Sequence, residues 1–309
     1  MKKQRLQAFG ALMALALVSL ALAQKGQVTV GSKLDSEGQV LGQMISLVLE
    51  NSGFQVKRQI PTGNTFVTRK ALLENAIDVY PEYTGSAIGN FFKGQKIAAD
   101  TAQNASRSYA AVKIFDQRLN NIIWLERAPA NNTFAIAIPS VLATKEKIKS
   151  LIDFSKYVNS GGAVKLVASQ EFFERDDALP SFEKVYGFKL KPDQKITLAN
   201  ATPAQTQQAV AQGTGGANAA MAYGTDGTLD ALDLIAMTDP KGAQPVYQPA
   251  PTIRGALLKQ YPEIAGLLNP VFKGLTLPVL QNLNRQIDVD GKPPLEVAKA
   301  YLKSKGFIK

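Results

Sequence analysis

Three tyrosines stand beside turn-forming residues, and their side chains are well suited to hold a charged ligand. Tyr83 precedes a Thr-Gly-Ser turn, Tyr223 precedes Gly-Thr-Asp-Gly, and Tyr247 lies between two prolines. An aromatic face attracts a cation through its quadrupole. One such tyrosine is more often half-buried packing than a ligand contact. Three of them, all expected at the same crevice, make ligand contact as good an explanation as packing.

Two basic residues complete the set of side chains that could bind a small ion. Lys33 follows the first predicted strand, and Arg175 lies in the segment Glu-Phe-Phe-Glu-Arg-Asp-Asp. Arginine is the most directional donor to a carboxylate. On local sequence alone, the simpler interpretation of Arg175 is a surface ion pair with Glu171 or Asp176, and contact with a ligand anion is the alternative.

The composition excludes several classes of chemistry. The chain has 309 residues with no cysteine and no histidine, which removes disulfide frameworks, thiol nucleophiles, the Ser-His-Asp triad and the usual zinc sites. An enzyme built from Asp, Glu, Lys, Ser and Tyr remains conceivable, but the histidine general base is absent. The sequence therefore predicts neither a metal site nor a cofactor.

Three short motifs could indicate an enzyme or a cation site, and none of them is complete. Residues 213–216 are too short for a dinucleotide fingerprint. Residues 288–291 resemble part of an EF-hand loop, but Gln286 and Val297 occupy its first and twelfth ligand positions. Gly85-Ser86 lacks the flanking glycines of a nucleophile elbow.

Residues 1–23 have the pattern of a cleavable secretory signal. A cationic head is followed by an apolar run over 6–23, which closes on Ala-Leu-Ala at 21–23. Because the chain has no cysteine to carry a lipid at the cleavage site, we expect an unanchored exported protein, which favours the periplasm. Cleavage removes three basic residues, so the formal charge falls from +10 to +7. The remaining basic residues are dispersed, which argues against nucleic acid as a partner.

The first half of the mature chain alternates strands with helices. Ser36 and Gln39 have capping-box spacing at the start of an amphipathic helix. The order strand, helix, strand, helix, strand predicts a parallel, doubly wound sheet. The five predicted segments are 27–32, 36–50, 54–60, 65–75 and 77–80, the last of them ended by Pro81.

The same alternation restarts after residue 132 and predicts a second lobe. Strands are expected over 133–138, 164–168 and 219–223, extended segments over 232–237 and 246–253, a capped helix from Thr202, and short helices to the end. We therefore expect a first lobe of 24–130 plus 227–309 and a second lobe of 131–226. Two strands would cross between the lobes, and a ligand would lie in the crevice.

Several motifs together carry a resemblance to a known family. They are Val30-Gly31-Ser32-Lys33, Tyr80-Pro81-Glu82-Tyr83-Thr84-Gly85, Ala130-Asn131-Asn132-Thr133, Glu174-Arg175-Asp176-Asp177 and Met221-Ala222-Tyr223-Gly224-Thr225-Asp226-Gly227. With these motifs in this order along the sequence, the chain resembles the solute-binding proteins of ABC importers for quaternary-ammonium osmoprotectants such as glycine betaine and choline. The likeness is greatest to the low-affinity OsmF type and spans nearly all of the mature chain.

The resemblance implies an α/β fold and a set of site residues. The fold is the two-lobed periplasmic-binding-protein fold (type II-like), with a mostly parallel sheet flanked by helices in each lobe. The implied ligand site comprises a tyrosine box of Tyr83, Tyr223 and Tyr247, a carboxylate-holding group of Lys33, Ser86 and Arg175, and the additional candidates Thr84, Asn131, Asn132 and Thr225. Higher-affinity relatives carry a further tyrosine where this chain has Ala130, so the resemblance implies that the box lacks one wall.

The resemblance also implies a function. The protein would be the extracytoplasmic substrate-binding component of an ABC importer, a monomer without a cofactor that delivers its solute to an inner-membrane permease and its ATPase. Two alternatives stay open. One is a binder of another zwitterion or polar solute, and the other is an enzyme on the same scaffold using Lys33 or Asp226.

Overall fold

The computed structural model describes residues 25–98 and 100–309, which form two α/β lobes. The predicted signal segment, 1–23, lies outside the described residues. Within them, no helix is both long and apolar enough to cross a membrane. The strands of the described part are β1 Lys25–Gly31, β2 Phe54–Gln59, β3 Val79–Tyr83, β4 Ile122–Trp124, β5 Phe134–Pro139, β6 Leu166–Ala168, β7 Lys195–Thr197, β8 Ala219–Tyr223, β9 Leu234–Ala236 and β10 Pro249–Arg254.

The two sheets are built on the same plan. Their strand orders are β2-β1-β3-β10-β4 and β7-β6-β8-β5-β9. In each, three neighbouring strands are parallel and one strand, β10 or β5, is antiparallel to both of its neighbours. Four of the five strands therefore run in one direction, which confirms the predicted α/β architecture with mostly parallel sheets.

Helices flank both sheets. The α-helices of the described part are α1 Ser36–Asn51, α2 Thr65–Leu73, α3 Thr84–Ser86, α4 Ala105–Asn120, α5 Ser140–Glu146, α6 Leu151–Asn159, α7 Gln170–Glu174, α8 Leu179–Tyr186, α9 Pro203–Ala211, α10 Gly255–Gln260, α11 Glu263–Lys273, α12 Leu277–Asp288 and α13 Pro294–Ser304. We call the first sheet with α1–α4 and α10–α13 the first lobe, and the second sheet with α5–α9 the second lobe.

The amphipathic helix α1 organises the core of the first lobe. Leu41, Met44 and Ile45 of α1 are fully buried, and α11, α12 and α13 pack against this helix. Asp35 is its N-cap and accepts a hydrogen bond from the Gly38 N–H at 2.7 Å. The predicted capping box at Ser36 is therefore wrong by one residue, because the aspartate carboxylate takes the capping position ahead of the serine.

Two further sequence expectations need correction. Pro81 does not end the third strand but lies within β3, opposite Pro251 of β10, so two residues without an N–H face each other in the ladder. The segment 234–236, expected in the first lobe, forms β9 and pairs with β5 of the second sheet. We therefore propose that the second connection between the lobes lies between β9 and β10 rather than near 226.

A buried ion pair joins three elements of the first lobe. The Asp116 carboxylate of α4 accepts hydrogen bonds from the Arg69 guanidinium of α2 at 2.9 and 2.5 Å and from the Trp124 indole of β4 at 2.7 Å. Arg69 is 5% exposed and Asp116 is fully buried. Neither charge has access to bulk water, so each depends on the other for compensation.

Removal of this carboxylate should destabilise the fold strongly. We expect Asp116→Ala to lower the free energy of unfolding by about 3–5 kcal/mol, because it leaves the Arg69 guanidinium buried and unpaired. Urea denaturation followed by circular dichroism measures the change. As a control, Glu74→Ala breaks an exposed ion pair with Lys70 and should cost under about 1 kcal/mol. Equal losses for the two variants would contradict the compensation argument.

Candidate functional site

A cavity of about 550 Å³ lies between the two lobes, within the size range of about 300–1,000 Å³ typical of small-molecule sites. Its main residues follow the carboxyl ends of strands: Lys33 follows β1, Tyr83 ends β3, Ser169 follows β6 and Tyr223 ends β8. Carboxyl ends of parallel strands meet at one edge of a sheet. The topology therefore directs both sheets' functional edges toward the same crevice.

Six aromatic residues line this cavity. We call four of them the aromatic cluster: Tyr83, Phe134, Tyr223 and Tyr247. Phe134 opens β5 directly opposite Tyr223 of β8. Its ring centroid lies 5.1 Å from that of Tyr223 and 5.5 Å from that of Tyr247. The three tyrosines predicted from the sequence thus line one cavity, and two of them pack against a phenylalanine that sequence reasoning missed.

The place of Tyr247 depends on a glycine and on the connections between the lobes. A side-chain carbon at Gly85 would lie 2.7 Å from the Tyr247 ring, so only glycine allows the ring to pack on this turn. The Tyr247 N–H donates to Asn131 Oδ1 at 2.8 Å, and the Asn132 N–H donates to the Tyr247 carbonyl at 2.9 Å. The two connecting segments therefore hold each other and fix the ring between the lobes.

The polar end of the cavity brings together the three residues expected to hold a carboxylate. Ser86 Oγ lies 3.5 Å from Lys33 Nζ and 3.4 Å from Arg175 Nη2. Lys33 and Ser86 belong to the first lobe and Arg175 to the second. These three residues therefore form one compact polar group that spans the crevice, and their role in holding a ligand stays a prediction.

Each cation of this group already has an anionic partner within the chain. Lys33 Nζ donates to Glu82 Oε1 at 2.5 Å. Arg175 donates to both oxygens of Asp177, at 2.8 and 2.6 Å, and to Glu171 at 2.6 Å. The Arg175 side chain is 5% exposed, so the expected surface ion pair is a buried one.

Asp176, the other partner suggested by local sequence, pairs instead with Lys93 across the crevice at 2.7 Å. Burial by itself raises the pKa of Asp177, but hydrogen bonds from Arg175 and its charge outweigh that effect and leave the pKa of this carboxyl below its ordinary value. Asp177 is therefore a carboxylate at neutral pH.

The four additional candidate residues take different positions. Asn132 lines the cavity. The side chain of Asn131 supports Tyr247, and the Thr84 hydroxyl donates to the Val246 carbonyl at 2.7 Å, so these two hold the connection rather than line the cavity. Thr225 is fully buried and lines a small gap beside the main cavity.

Ala130 does not line the cavity. It is 2% exposed and packs with the core of the first lobe, and its N–H points to the Leu275 carbonyl at 3.4 Å. The expectation that Ala130 leaves a wall of the tyrosine box open is therefore not matched by its position. Phe134, four residues later, supplies an aromatic side chain to the cavity instead.

A cluster of carboxyl groups lies at the junction of the lobes. Glu37, in the first turn of α1, accepts hydrogen bonds from the Tyr83 hydroxyl at 2.9 Å and from Asn132 and Asn284 at 3.0 Å. Burial raises its pKa to about 7, against the opposing effect of these donors. Burial also raises the pKa of Asp226, and it raises that of Asp288 to about 6.

Among the described residues, no group of three or more acidic side chains is arranged to hold a metal ion. We therefore assign no metal to this carboxyl cluster.

The chain is similar to proteins of known classes along nearly all of its length. Residues 26–304 match the family described as the substrate binding domain of an ABC-type glycine betaine transport system. The chain is 49% identical over 300 residues to the glycine betaine-binding protein YehZ of Escherichia coli, covering 97% of each protein. The solved structure of apo YehZ from the same organism aligns with a TM-score of 0.65 at 48% identity, covering 91% of this chain and 99% of that one.

A more distant relative is an ergothioneine transport permease/ergothioneine binding protein of Helicobacter pylori, which is 29% identical over 298 residues. That alignment covers 95% of this chain and 50% of the longer relative.

The raised pKa of Glu37 predicts a loss of stability with rising pH. A carboxyl whose pKa is higher in the folded than in the unfolded chain binds more protons when folded, so stability falls as pH rises between the two values. For Glu37 this interval runs from 4.5 to about 7. We expect the free energy of unfolding to decrease across it, and Glu37→Gln, which has the shape of the protonated side chain, to make the decrease shallower.

Urea denaturation at several pH values between 5 and 8 measures this slope. Glu74→Gln, a change on the exposed surface, should leave the slope at its wild-type value. A slope in Glu37→Gln as steep as in the wild-type chain would mean that other carboxyl groups account for the pH dependence.

Proposed function

The chain belongs to the family of substrate-binding domains of ABC-type glycine betaine transport systems, and from this premise we propose that its cavity binds glycine betaine or a related quaternary-ammonium compound. One observation carries the proposal: an aromatic cluster lines a cavity of small-molecule size, with a polar group of Lys33, Ser86 and Arg175 at its other end. Such ligands carry a trimethylammonium group at one end and a hydroxyl or carboxylate at the other, and the cavity offers aromatic faces to the first and polar side chains to the second.

The residue types suit the chemistry of this ligand class. A trimethylammonium group is charged but has no N–H, so it gains little from ordinary hydrogen-bond acceptors and is bound best by aromatic faces. Tyr223 is only partly buried and lines the cavity, so its ring is available to such a group. The hydroxyl or carboxylate end of the ligand would lie toward Ser86.

The site is divided between the lobes, which couples binding to closure. Lys33, Tyr83 and Ser86 belong to the first lobe, whereas Phe134, Arg175 and Tyr223 belong to the second. A ligand that touches both sets makes its full contacts only when the lobes are together, so it stabilises the closed arrangement by the difference in contacts. This property suits a protein that must present loaded and empty states to a transporter.

The wider role follows from the family. We propose that the protein acts outside the inner membrane, in the periplasm, as a monomer. It would deliver its ligand to a membrane permease driven by an ATPase, without a cofactor and without catalysis. The predicted signal at residues 1–23 supports export, and the dispersed basic residues give no support to nucleic acid as a partner.

A second candidate ligand is a larger zwitterion. Two observations favour it: the cavity volume of about 550 Å³, and the relative whose name records ergothioneine binding. The alternative of an enzyme that uses Lys33 or Asp226 has less support. Lys33 is held by Glu82, and Asp226 accepts hydrogen bonds from the Tyr223 N–H and from Gln207.

The aromatic face of Tyr223 should contribute directly to binding. We expect glycine betaine to bind the mature protein saturably in titration calorimetry, and Tyr223→Leu to weaken binding by about 0.5–2 kcal/mol, or about two- to thirtyfold. Tyr223→Phe keeps the ring and loses only the hydroxyl, so its affinity should stay near that of the wild-type chain. The contrast separates the contribution of the aromatic ring from that of the hydroxyl.

A control and a contrary result complete this experiment. Tyr301→Leu removes a tyrosine of α13 that does not line the cavity, and it should leave the affinity unchanged. Absence of saturable binding by glycine betaine, choline and carnitine alike would refute the proposed ligand class. Equal affinities of Tyr223→Leu and wild type would refute the assignment of Tyr223 alone.

A further inference from the structure

The donors of Arg175 are all engaged by acceptors of the same chain. A guanidinium has five N–H groups in a fixed fork, and five contacts are present: two to Asp177, one to Glu171, and longer ones to Thr65 Oγ1 at 3.3 Å and Ser86 Oγ at 3.4 Å. Asp177 takes the bidentate face, which is the face that a ligand carboxylate would bind best. A ligand anion must therefore compete with an internal one.

The second cation of the polar end is compensated in the same way. Lys33 donates to Glu82 at 2.5 Å, and Glu82 is fully buried. Glu82 also accepts from the Tyr80 hydroxyl at 2.7 Å and from the Tyr83 N–H at 2.6 Å, so it is fixed in place. Lys33 and Arg175 together carry two positive charges, while their three partners Glu82, Asp177 and Glu171 carry three negative charges.

This balance makes the polar end unfavourable for an added carboxylate. A carboxylate only accepts hydrogen bonds, and here it would approach cations whose charge is already offset, beside oxygens of like charge. A ligand hydroxyl adds no charge and can both donate and accept. Ser86 Oγ is the acceptor in both of its hydrogen bonds within the described residues, so its own proton remains available to a ligand oxygen, and a ligand hydroxyl can accept it without adding a negative charge.

We propose that Asp177 determines the ligand specificity of this cavity: by holding Arg175 in an internal ion pair, it lowers the affinity for a quaternary amine that ends in a carboxylate relative to one that ends in a hydroxyl. This inference rests on the proposed function, since it concerns ligands of the same cavity. Asp177 acts through Arg175 and is therefore a positioning residue. Its effect is to weaken the binding of a ligand carboxylate.

The opposite role for Asp177 is also physically defined. The aspartate holds the guanidinium in one orientation and accepts a hydrogen bond from the Tyr247 hydroxyl at 2.6 Å. If its main effect were to orient Arg175 for a ligand carboxylate, its removal would weaken carboxylate binding. The two roles therefore predict changes of opposite sign in the same measurement.

The test compares glycine betaine with choline by titration calorimetry on the mature protein. For Asp177→Asn, which keeps the shape and removes the charge, we expect the affinity for glycine betaine relative to choline to rise by about tenfold or more, the factor that a hydrogen bond to a charged group is worth. Asp176→Asn is the matched control, because it removes the neighbouring negative charge at an exposed site that pairs with Lys93. Any effect of that variant on closure changes both affinities alike, so the ratio should not move.

A second variant keeps the test decisive if Asp177→Asn does not fold. Glu171→Gln removes the other carboxylate on Arg175, whose side chain is 20% exposed, and it should shift the ratio in the same direction by a smaller factor. An unchanged or lower ratio in the folded variants would overturn the role of Asp177 while leaving the proposed function standing. Failure of both ligands to bind any of the chains would overturn the proposed function and this inference together.

Discussion

The buried pair of Arg175 and Asp177 is the interaction on which the crevice depends. Both side chains belong to the second lobe, yet each reaches the first: Arg175 touches the hydroxyls of Thr65 and Ser86, and Asp177 accepts from Asn90 at 3.3 Å. The guanidinium carbon also lies 5.1 Å from the centroid of the Phe134 ring. This one ion pair thus contacts the polar end of the cavity, the aromatic cluster and the first lobe. A change in either of its residues would alter all three sets of contacts.

The fold explains why these groups meet. In both sheets the parallel strands end at the crevice, so the residues after β1, β3, β6 and β8 converge there although they are far apart in sequence. The reversed strand of the second sheet begins where those strands end, which brings Phe134 opposite Tyr223. Glycine at position 85 then lets the Tyr247 ring approach the backbone closely enough to complete the cluster.

The sequence predicted much of this arrangement and missed particular parts for physical reasons. Strand 219–223 and the helix capped by Thr202 and Gln205 match the prediction closely, because local periodicity and capping determine them. The strand over 234–236 was assigned to the wrong lobe, because three residues carry no signal of which sheet they will join. The sequence around Phe134 predicts an ordinary core residue of a strand, and only its pairing with Tyr223 places it beside the cavity.

Partners of charged residues were the hardest feature to predict. Local sequence suggested Glu171 and Asp176 as partners of Arg175. Glu171 does pair with it, but Asp176 pairs with Lys93, and the bidentate partner is Asp177, which local sequence did not suggest. Asp176 and Asp177 lie in a turn after α7, and the direction of each side chain depends on that turn, so the composition of the charged run cannot assign their partners. The resemblance identified Lys33, Ser86 and Arg175 as neighbours, yet it contained no information on the carboxylates that neutralise them.

The aromatic faces and the internal cations together limit the binding free energy that a ligand can gain in this cavity. Lys33 Nζ lies 4.8 Å from the centroid of the Tyr83 ring, and Arg175 lies over Phe134, so two rings of the aromatic cluster already interact with a cation of the chain. A ligand ammonium therefore gains most from the remaining rings, Tyr223 and Tyr247. Each ring contributes about 0.5–2 kcal/mol to the binding of a cation. The binding free energy lost at the two occupied rings is therefore comparable to that gained at the two remaining rings. We therefore expect the site's own cations to lower the affinity for a ligand ammonium, without any missing wall at Ala130.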